Sequence, residues 1–210
     1  MVDEYLIVAS GADVEIEVKR SRFLARVRRV ASEDDARAVI EQCRKEFWDA
    51  RHHCSAFVLG ASSEIARSND DGEPSGTAGA PILATITGRE LSDVVVVVTR
   101  YFGGTLLGAG GLVRAYTDAT AAGLEAAGIR RRQRALEAEL AVSIADAGRV
   151  ENALRAAGME ILGVDYQRQA LIRGALRPDD EPQIAAMLAA LTKGDAAISI
   201  TGERWIDATR

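Results

Sequence analysis

Three carboxylates fall within four residues, at Asp70, Asp71 and Glu73. Carboxylates this close can ligate a hard cation or divide acid–base work between them. Their spacing is not that of an EF-hand loop, and neither histidine nor cysteine interrupts the run, so no metal site is expected. Asp71-Gly72 and Pro74-Ser75-Gly76 are also ordinary turn chemistry, in which short polar side chains bond nearby backbone and glycine supplies positive φ. The two histidines, His52 and His53, stand next to Cys54. A Cys–His nucleophile pair or half of a metal site uses these residue types. Alternate residues of a strand share a face, so His52 and Cys54 can meet and His53 cannot join them. No orienting acid stands beside them, and a structural role is expected.

The acidic cluster opens a glycine-rich track that resumes further along the chain. Its first segment holds Asp71, Gly72, Glu73, Gly76, Thr77 and Gly79. Its second holds Arg100, Tyr101, Phe102, Gly103, Gly104, Gly108, Gly110 and Gly111. Glycines this dense weaken a helix or strand, and they are useful where a backbone turns tightly or comes close to something else. Together the two segments read as a ligand or close-approach surface. The second lies between an apolar strand and a helix, where backbone N–H groups can cradle an anion. It is neither of the standard nucleotide loops. No Gly-Lys-Ser/Thr follows, and Gly108-Ala109-Gly110 leads to Val113 where a dinucleotide fingerprint has its third glycine. The alternative is a tight packing turn.

A third feature is basic. Lys19, Arg20, Arg22, Arg26, Arg28 and Arg29 follow one another without an acid between them. On a strand, Arg20, Arg22, Arg26 and Arg28 share a face, with Phe23, Ala25 and Val27 on the other. Such a stripe can contact phosphates while bases stack on a nearby aromatic. The alternative is a solvated strand face matched by Glu15 and Glu17. Arg130 to Arg134 reads as a charged, solvated linker.

The chain that must position these residues has 210 of them, 48% hydrophobic, with a net charge of −5. That supports a real core and excludes a global basic field for nucleic acid or membrane; any basic site is local. Two cysteines set no disulfide framework. No signal-peptide core and no membrane-length apolar run is evident, so a soluble, cytoplasmic protein is expected.

Alternation over Val14 to Val18 and Phe23 to Val30 predicts a hairpin. Ser32 followed by acids predicts a helix running to about Trp48. Cys54 to Leu59 reads as a strand and Ala61 to Asn69 as loop. Thr77 to Thr87 reads as a helix with Pro81 in its first turn. Val94 to Tyr101 is the signature of a buried central strand. Leu112 to Ala127 reads as a helix ended by Gly128. Beyond the linker come strand (Ala135 to Ile144), helix (Ala145 to Ala157), two strands (Glu160 to Tyr166, Gln169 to Leu176), helix (Asp179 to Leu191) and strand (Ala197 to Trp205). That βαββαβ order is ferredoxin-like. The fold class is α+β in two domains, residues 1–130 and 135–210.

Two motifs carry a family resemblance. Asp71-Gly72-Glu73-Pro74-x-Gly76-Thr77-Ala78-Gly79-x-Pro81-Ile82-Leu83 and Val97-x-x-Arg100-Tyr101-Phe102-Gly103-Gly104-x-x-Leu107-Gly108-x-Gly110-Gly111-Leu112-x-Arg114-Ala115-Tyr116 resemble the signature of the IMPACT family in its bacterial YigZ-like branch. Lys19-x-Ser21-x-Phe23 and His53-x-Ser55-Ala56 resemble its flanking motifs more loosely. The resemblance spans essentially the whole chain. It implies an N-terminal domain with the second-domain fold of a small-subunit ribosomal protein, shared with domain IV of elongation factor G. It also implies a C-terminal domain like domains III and V of that factor. Eukaryotic relatives regulate translation by competing for the scaffold that activates a starvation-sensing kinase. They use an additional N-terminal domain not matched here, so that mechanism is not expected to carry over.

The expectation is therefore a non-enzymatic, translation-linked regulator binding RNA or a ribosome-associated surface. Lys19, Arg20, Arg22, Arg26, Arg28, Arg100, Tyr101, Phe102 and Arg114 are its candidate contacts, and no cofactor or membrane is expected. One alternative is a small-ligand or phosphate-binding enzyme using Gly103 to Gly111, with Lys19 as the lysine placed to serve and Asp71 or Glu73 as base or metal ligand. Another is a protein–protein adaptor in translation control, using the ferredoxin-like sheet face.

Overall fold

The computed structural model describes residues 2–208 and divides into two compact units, Met1–Arg131 and Arg132–Arg210. It is a mixed α+β structure built on antiparallel sheets. Among the described residues no helix is long and apolar enough to cross a membrane.

The first unit is organised around one strand. Strand β6 (Val94–Tyr101) is central in a sheet that also contains β2 (Ala12–Val18), β3 (Ser21–Arg29), β4 (His52–Leu59) and β5 (Ile65–Asn69), in the order β2-β3-β6-β4-β5. Its five consecutive valines are fully buried because both faces of the sheet are covered. With period two, Val94, Val96 and Val98 pack with Ala25, Val27, Ala56 and Val58 under helices α2 (Gly79–Thr87) and α3 (Ala109–Ala127). Val95 and Val97 pack with Phe57, Ala36 and Cys43 under α1 (Glu33–Glu46). Each buried valine contributes about 1.5–3 kcal/mol. Helix α3 comes so close that a Cβ on Gly123 would lie 2.9 Å from a Val27 methyl. Helix α1 starts where expected: Ser32 Oγ accepts from Asp35 N at 3.1 Å, and Asp35 accepts from Ala31 N at 3.2 Å.

Four expectations differ from what is observed. The segment Ala61 to Asn69 is not all loop, because Ile65–Asn69 pairs antiparallel with β4 as an edge strand. A strand β1 (Glu4–Val8) exists that its sequence did not announce; it buries Ile7 and Val8, and Leu6 O accepts from Ser92 N at 2.9 Å. Helix α3 begins at Ala109, three residues ahead of the expected start, because the glycines there are helical. Arg130 to Arg134 is not a linker: it is the start of β7 (Ile129–Val142). Its arginines are held by acids, Arg131 by Glu4 and Arg134 by Glu203 at 2.8 Å. A charged strand reads as a linker when its partners are far away in sequence.

The second unit runs β7, α4 (Ala147–Ala156), β8 (Glu160–Tyr166), β9 (Ala170–Leu176), α5 (Glu181–Thr192) and β10 (Ser199–Asp207). Strand β7 lies between β10 and β9, and β8 pairs the far side of β9. Leu140, Ile172, Val150, Leu154, Ile184 and Leu188 form its core. Gly174 is needed where β9 passes β8, since a Cβ there would lie 2.6 Å from Glu160 O.

Candidate functional site

The two glycine segments meet at one end of the first unit's sheet, where β6 ends, β4 begins and β2 turns into β3. The register places Arg100 opposite both Phe23 and His52. The chain leaving β6 is laid on the β2–β3 turn. Gly103 N donates to Ser21 Oγ at 3.1 Å, and Arg20 Nη2 donates to Thr105 Oγ1 at 2.8 Å. A Cβ on Gly103 would fall 2.0 Å from the Arg20 carbonyl, so only glycine fits. Gly108, with φ 72°, turns the chain into α3, whose first turn has neither a side-chain cap nor an acid.

The acids of the first segment have structural partners. Asp70 accepts from the N–H groups of Gly76 (2.8 Å), Ala78 (3.0 Å) and Gly79 (2.7 Å), capping α2 from outside the helix. Burial pushes its carboxyl pKa up, but these three donors outweigh that and hold it below the usual value. Asp71, in left-handed backbone with φ 45°, accepts from His53 N at 2.6 Å and from Arg44 at 2.8 Å. Its carbonyl lies 2.9 Å from His52 Nδ1. Gly79 is fixed by packing, because a Cβ would sit 2.8 Å from Asn69 backbone.

Glu73 is different. It is buried and accepts from Arg100 Nη1 at 2.6 Å and from the Tyr116 hydroxyl at 2.8 Å, both at Oε1. Cys54 Sγ lies 3.3 Å from that hydroxyl and donates to Asp70 O at 3.0 Å. One buried chain of polar groups thus ties the first glycine segment to β4, β6 and α3. Burial pushes the Cys54 thiol up to about 12 and the Tyr116 hydroxyl above its ordinary range. A thiol held protonated is a poor nucleophile. His53 points to the other face, 3.0 Å from Thr99 Oγ1, and burial lowers its pKa.

The expected arginine stripe is matched locally. Arg22 is bidentate on Glu15 at 2.6 and 2.8 Å. Arg26 is largely buried, held by Asp13 and Glu46, with its guanidinium over the Phe47 ring at 5.5 Å. Arg28 reaches Asp13 at 2.8 Å. Acids on β2 alternate with the same period as the arginines of β3, so the two rows pair on one face. Glu15 is visible in the sequence as a possible partner for the stripe; Glu46, from α1, is not. Arg20 stands apart from the stripe, in the turn at φ 66°.

Cations without a carboxylate partner are spread over the described residues, Lys45, Arg67, Arg89, Arg168 and Lys193 among them, and four belong to the segments around the sheet end. Among the described residues no acid pairs with Lys19, Arg20, Arg51 or Arg114. Lys19 and Arg20 form the turn beneath Gly103, Arg51 precedes the first residue of β4, and Arg114 lies in α3 beyond the second glycine segment. Tyr101 is half-buried, donates to Asp49 at 2.8 Å and lies under Arg22 at 5.3 Å. Phe102 is 49% exposed. Arg100 is more than nine-tenths buried between the Phe23 and Phe102 rings, 5.6 Å from each centre, and its Nε has no hydrogen-bond partner among the described residues. Sequence reasoning misses Arg51 and the exposed Trp48; Trp48 reads as the last apolar residue of a helix there, but it lies past the end of α1.

A fold of two α+β units whose two glycine segments converge on a buried Arg–Glu–Tyr cluster has clear relatives. Residues 19–124 match the model of the Impact N-terminal domain. The chain is 35% identical over 198 residues to IMPACT family member YvyE of Bacillus subtilis, covering 94% of this chain and 91% of that one. It is 36% identical over 195 residues to IMPACT family member YigZ of Escherichia coli, covering 92% and 96%. A solved crystal structure of a hypothetical protein matches with a TM-score of 0.66 at 35% identity, over 96% of this chain and 98% of that one. The chain belongs to the IMPACT family.

Proposed function

We propose that this protein is a non-enzymatic, translation-linked regulator that binds RNA, free or on a ribosomal surface, through the sheet end of its first unit. The observation that carries the reading is charge placement. In a chain of net charge −5, Lys19 and Arg20 have no carboxylate partner among the described residues and form the turn on which Gly103 is laid, next in the chain to the half-exposed ring of Phe102; Arg51, before β4, and Arg114, in α3, are likewise without an acid. Local positive charge beside an aromatic suits a phosphodiester chain. Nothing in the buried Cys54–Tyr116–Glu73 chain requires a reaction, since each group has a partner and the thiol is protonated.

The same proposal covers the domain assignments. The first unit is taken as the ribosomal-protein second-domain fold shared with domain IV of elongation factor G. The second, with its βαββαβ order, is taken as ferredoxin-like, and the domains as residues 1–130 and 135–210. Both folds occur in factors that act on the ribosome, which supports the link to translation, while the site carries the binding.

Fluorescence polarisation with RNA at several salt concentrations tests it. Arg20→Glu and Arg114→Glu should weaken binding. Each should also flatten the log–log salt dependence by about 0.7 for every single-strand phosphate left without its cation. Arg22→Glu should change binding less, because Arg22 is already neutralised by Glu15. No affinity at low salt would sink the reading.

A further inference from the structure

We propose that the sheet end is a reader of single-stranded RNA, in which one unpaired base stacks on the outer face of Phe102 while Lys19, Arg20, Arg51 and Arg114 meet the flanking phosphates. This rests on the RNA-binding reading and names the form of RNA it takes.

Phe102 is the key residue because its ring is neither core nor accident. Its neighbour Tyr101 is half-buried and bonded, and Phe23, opposite Arg100, is fully buried against Tyr116 at 5.2 Å. Phe102 alone of these rings leaves 49% of its surface in water. Its position is not loose, since the next residue, Gly103, is clamped on the Arg20 backbone and bonded to Ser21. Its inner side carries the Arg100 guanidinium, 5.6 Å from the ring centre. That guanidinium is itself held by Glu73 and cannot swing away. A ring with a fixed cation on one side and water on the other is a platform for a planar, electron-rich group. A base in a duplex already stacks on its neighbours and does not offer its face, so the platform selects unpaired RNA. Lys19 and Arg20, without carboxylate partners among the described residues and in the turn against Gly103, favour a polyanion over an apolar protein surface.

The full-length protein should be titrated with fluorescein-labelled oligouridylate and with an RNA duplex of the same length. The expected result is tighter binding of the single strand. Phe102→Ala should lower that affinity by about five- to a hundredfold with an unchanged salt slope, and Phe102→Trp should restore it. Oligonucleotide carrying 5-iodouridine should crosslink at residue 102. Because the ring is half-exposed, its truncation should leave the fold intact, and a thermal melt of Phe102→Ala checks that directly. If Phe102→Ala binds like wild type while Arg20→Glu and Arg114→Glu weaken binding, the stacking proposal is overturned and the RNA reading stands. Duplex bound as tightly as single strand overturns it in the same way. If the wild-type protein binds neither RNA at low salt, the RNA reading itself falls.

Discussion

Arg100 and Glu73 form an ion pair of 2.6 Å whose side chains are only 7% and 3% exposed. The two residues lie 27 positions apart, one in each glycine segment. A buried pair of this kind gains little over apolar residues of the same volume, because both charges give up water. Its effect is positional: it holds the loop before α2 against the end of β6, with Tyr116 of α3 as the third member.

Removing one partner should therefore be costly. Glu73→Ala leaves the Arg100 charge buried and unmatched, and should lower stability by about 3–5 kcal/mol. Replacing both, as Glu73→Leu with Arg100→Met, should recover most of that loss. Urea unfolding of the wild type, both single variants and the double variant checks it. Additive losses in the double variant would show that the two do not act as a pair.

Asp70 predicts an acid-side effect. Its carboxylate caps three backbone N–H groups, and its folded pKa lies below the ordinary value of 3.8. A group with a depressed folded pKa contributes stability that is present above the unfolded value and is lost as pH falls through the folded one. Asp70→Asn should be less stable than wild type at pH 7, with the gap closing below about pH 4 as the wild-type carboxyl protonates. Urea midpoints at both pH values measure this, and a gap independent of pH would count against the capping role.

The two cysteines should be silent in the native protein. Both are buried, and burial raises the pKa of each, that of Cys54 to about 12. Ellman's reagent at pH 8 should find no fast-reacting thiol in the folded chain and both thiols in guanidinium. Rapid native labelling at Cys54 would reopen the question of a nucleophile beside His52.

How much of this is legible in the sequence follows from the range of the interactions involved. The valine run announces the central strand, because burial on both faces removes alternation. The second unit's order of strands and helices is readable because each element carries its own local pattern, even though β7 pairs with β9 and β10 much further along the chain. Strands β1 and β5 escape notice for the opposite reason: five residues each, on sheet edges, they carry little periodic signal. At the site, the glycine segments and Phe102 stand out by type. The partners do not. Glu46 on Arg26 and Asp71 on Arg44 join elements 20 and 27 residues apart, and no local pattern encodes such pairs. So the arginine stripe, for which sequence offers only Glu15 and Glu17 as partners, is matched in the fold by Asp13, Glu15 and the distant Glu46, whereas Arg51, a single basic residue between turns, looks unremarkable and has no acid partner among the described residues.

Gly110 gives a test that separates binding from stability. It lies in the first turn of α3 at ordinary φ, and a Cβ there would meet nothing within 4 Å. Neither backbone conformation nor internal packing asks for glycine. Gly148, in the first turn of α4, is in the same position. Alanine favours a helix over glycine by about 0.5–1 kcal/mol, so Gly110→Ala and Gly148→Ala should each stabilise the protein by that amount. If RNA also approaches the opening turn of α3, Gly110→Ala should weaken oligouridylate binding, and Gly148→Ala should leave it unchanged. Melting curves give the first quantity and polarisation the second. Equal binding by both variants would place the RNA away from the opening turn of α3, on the aromatic ring and the β2–β3 turn alone.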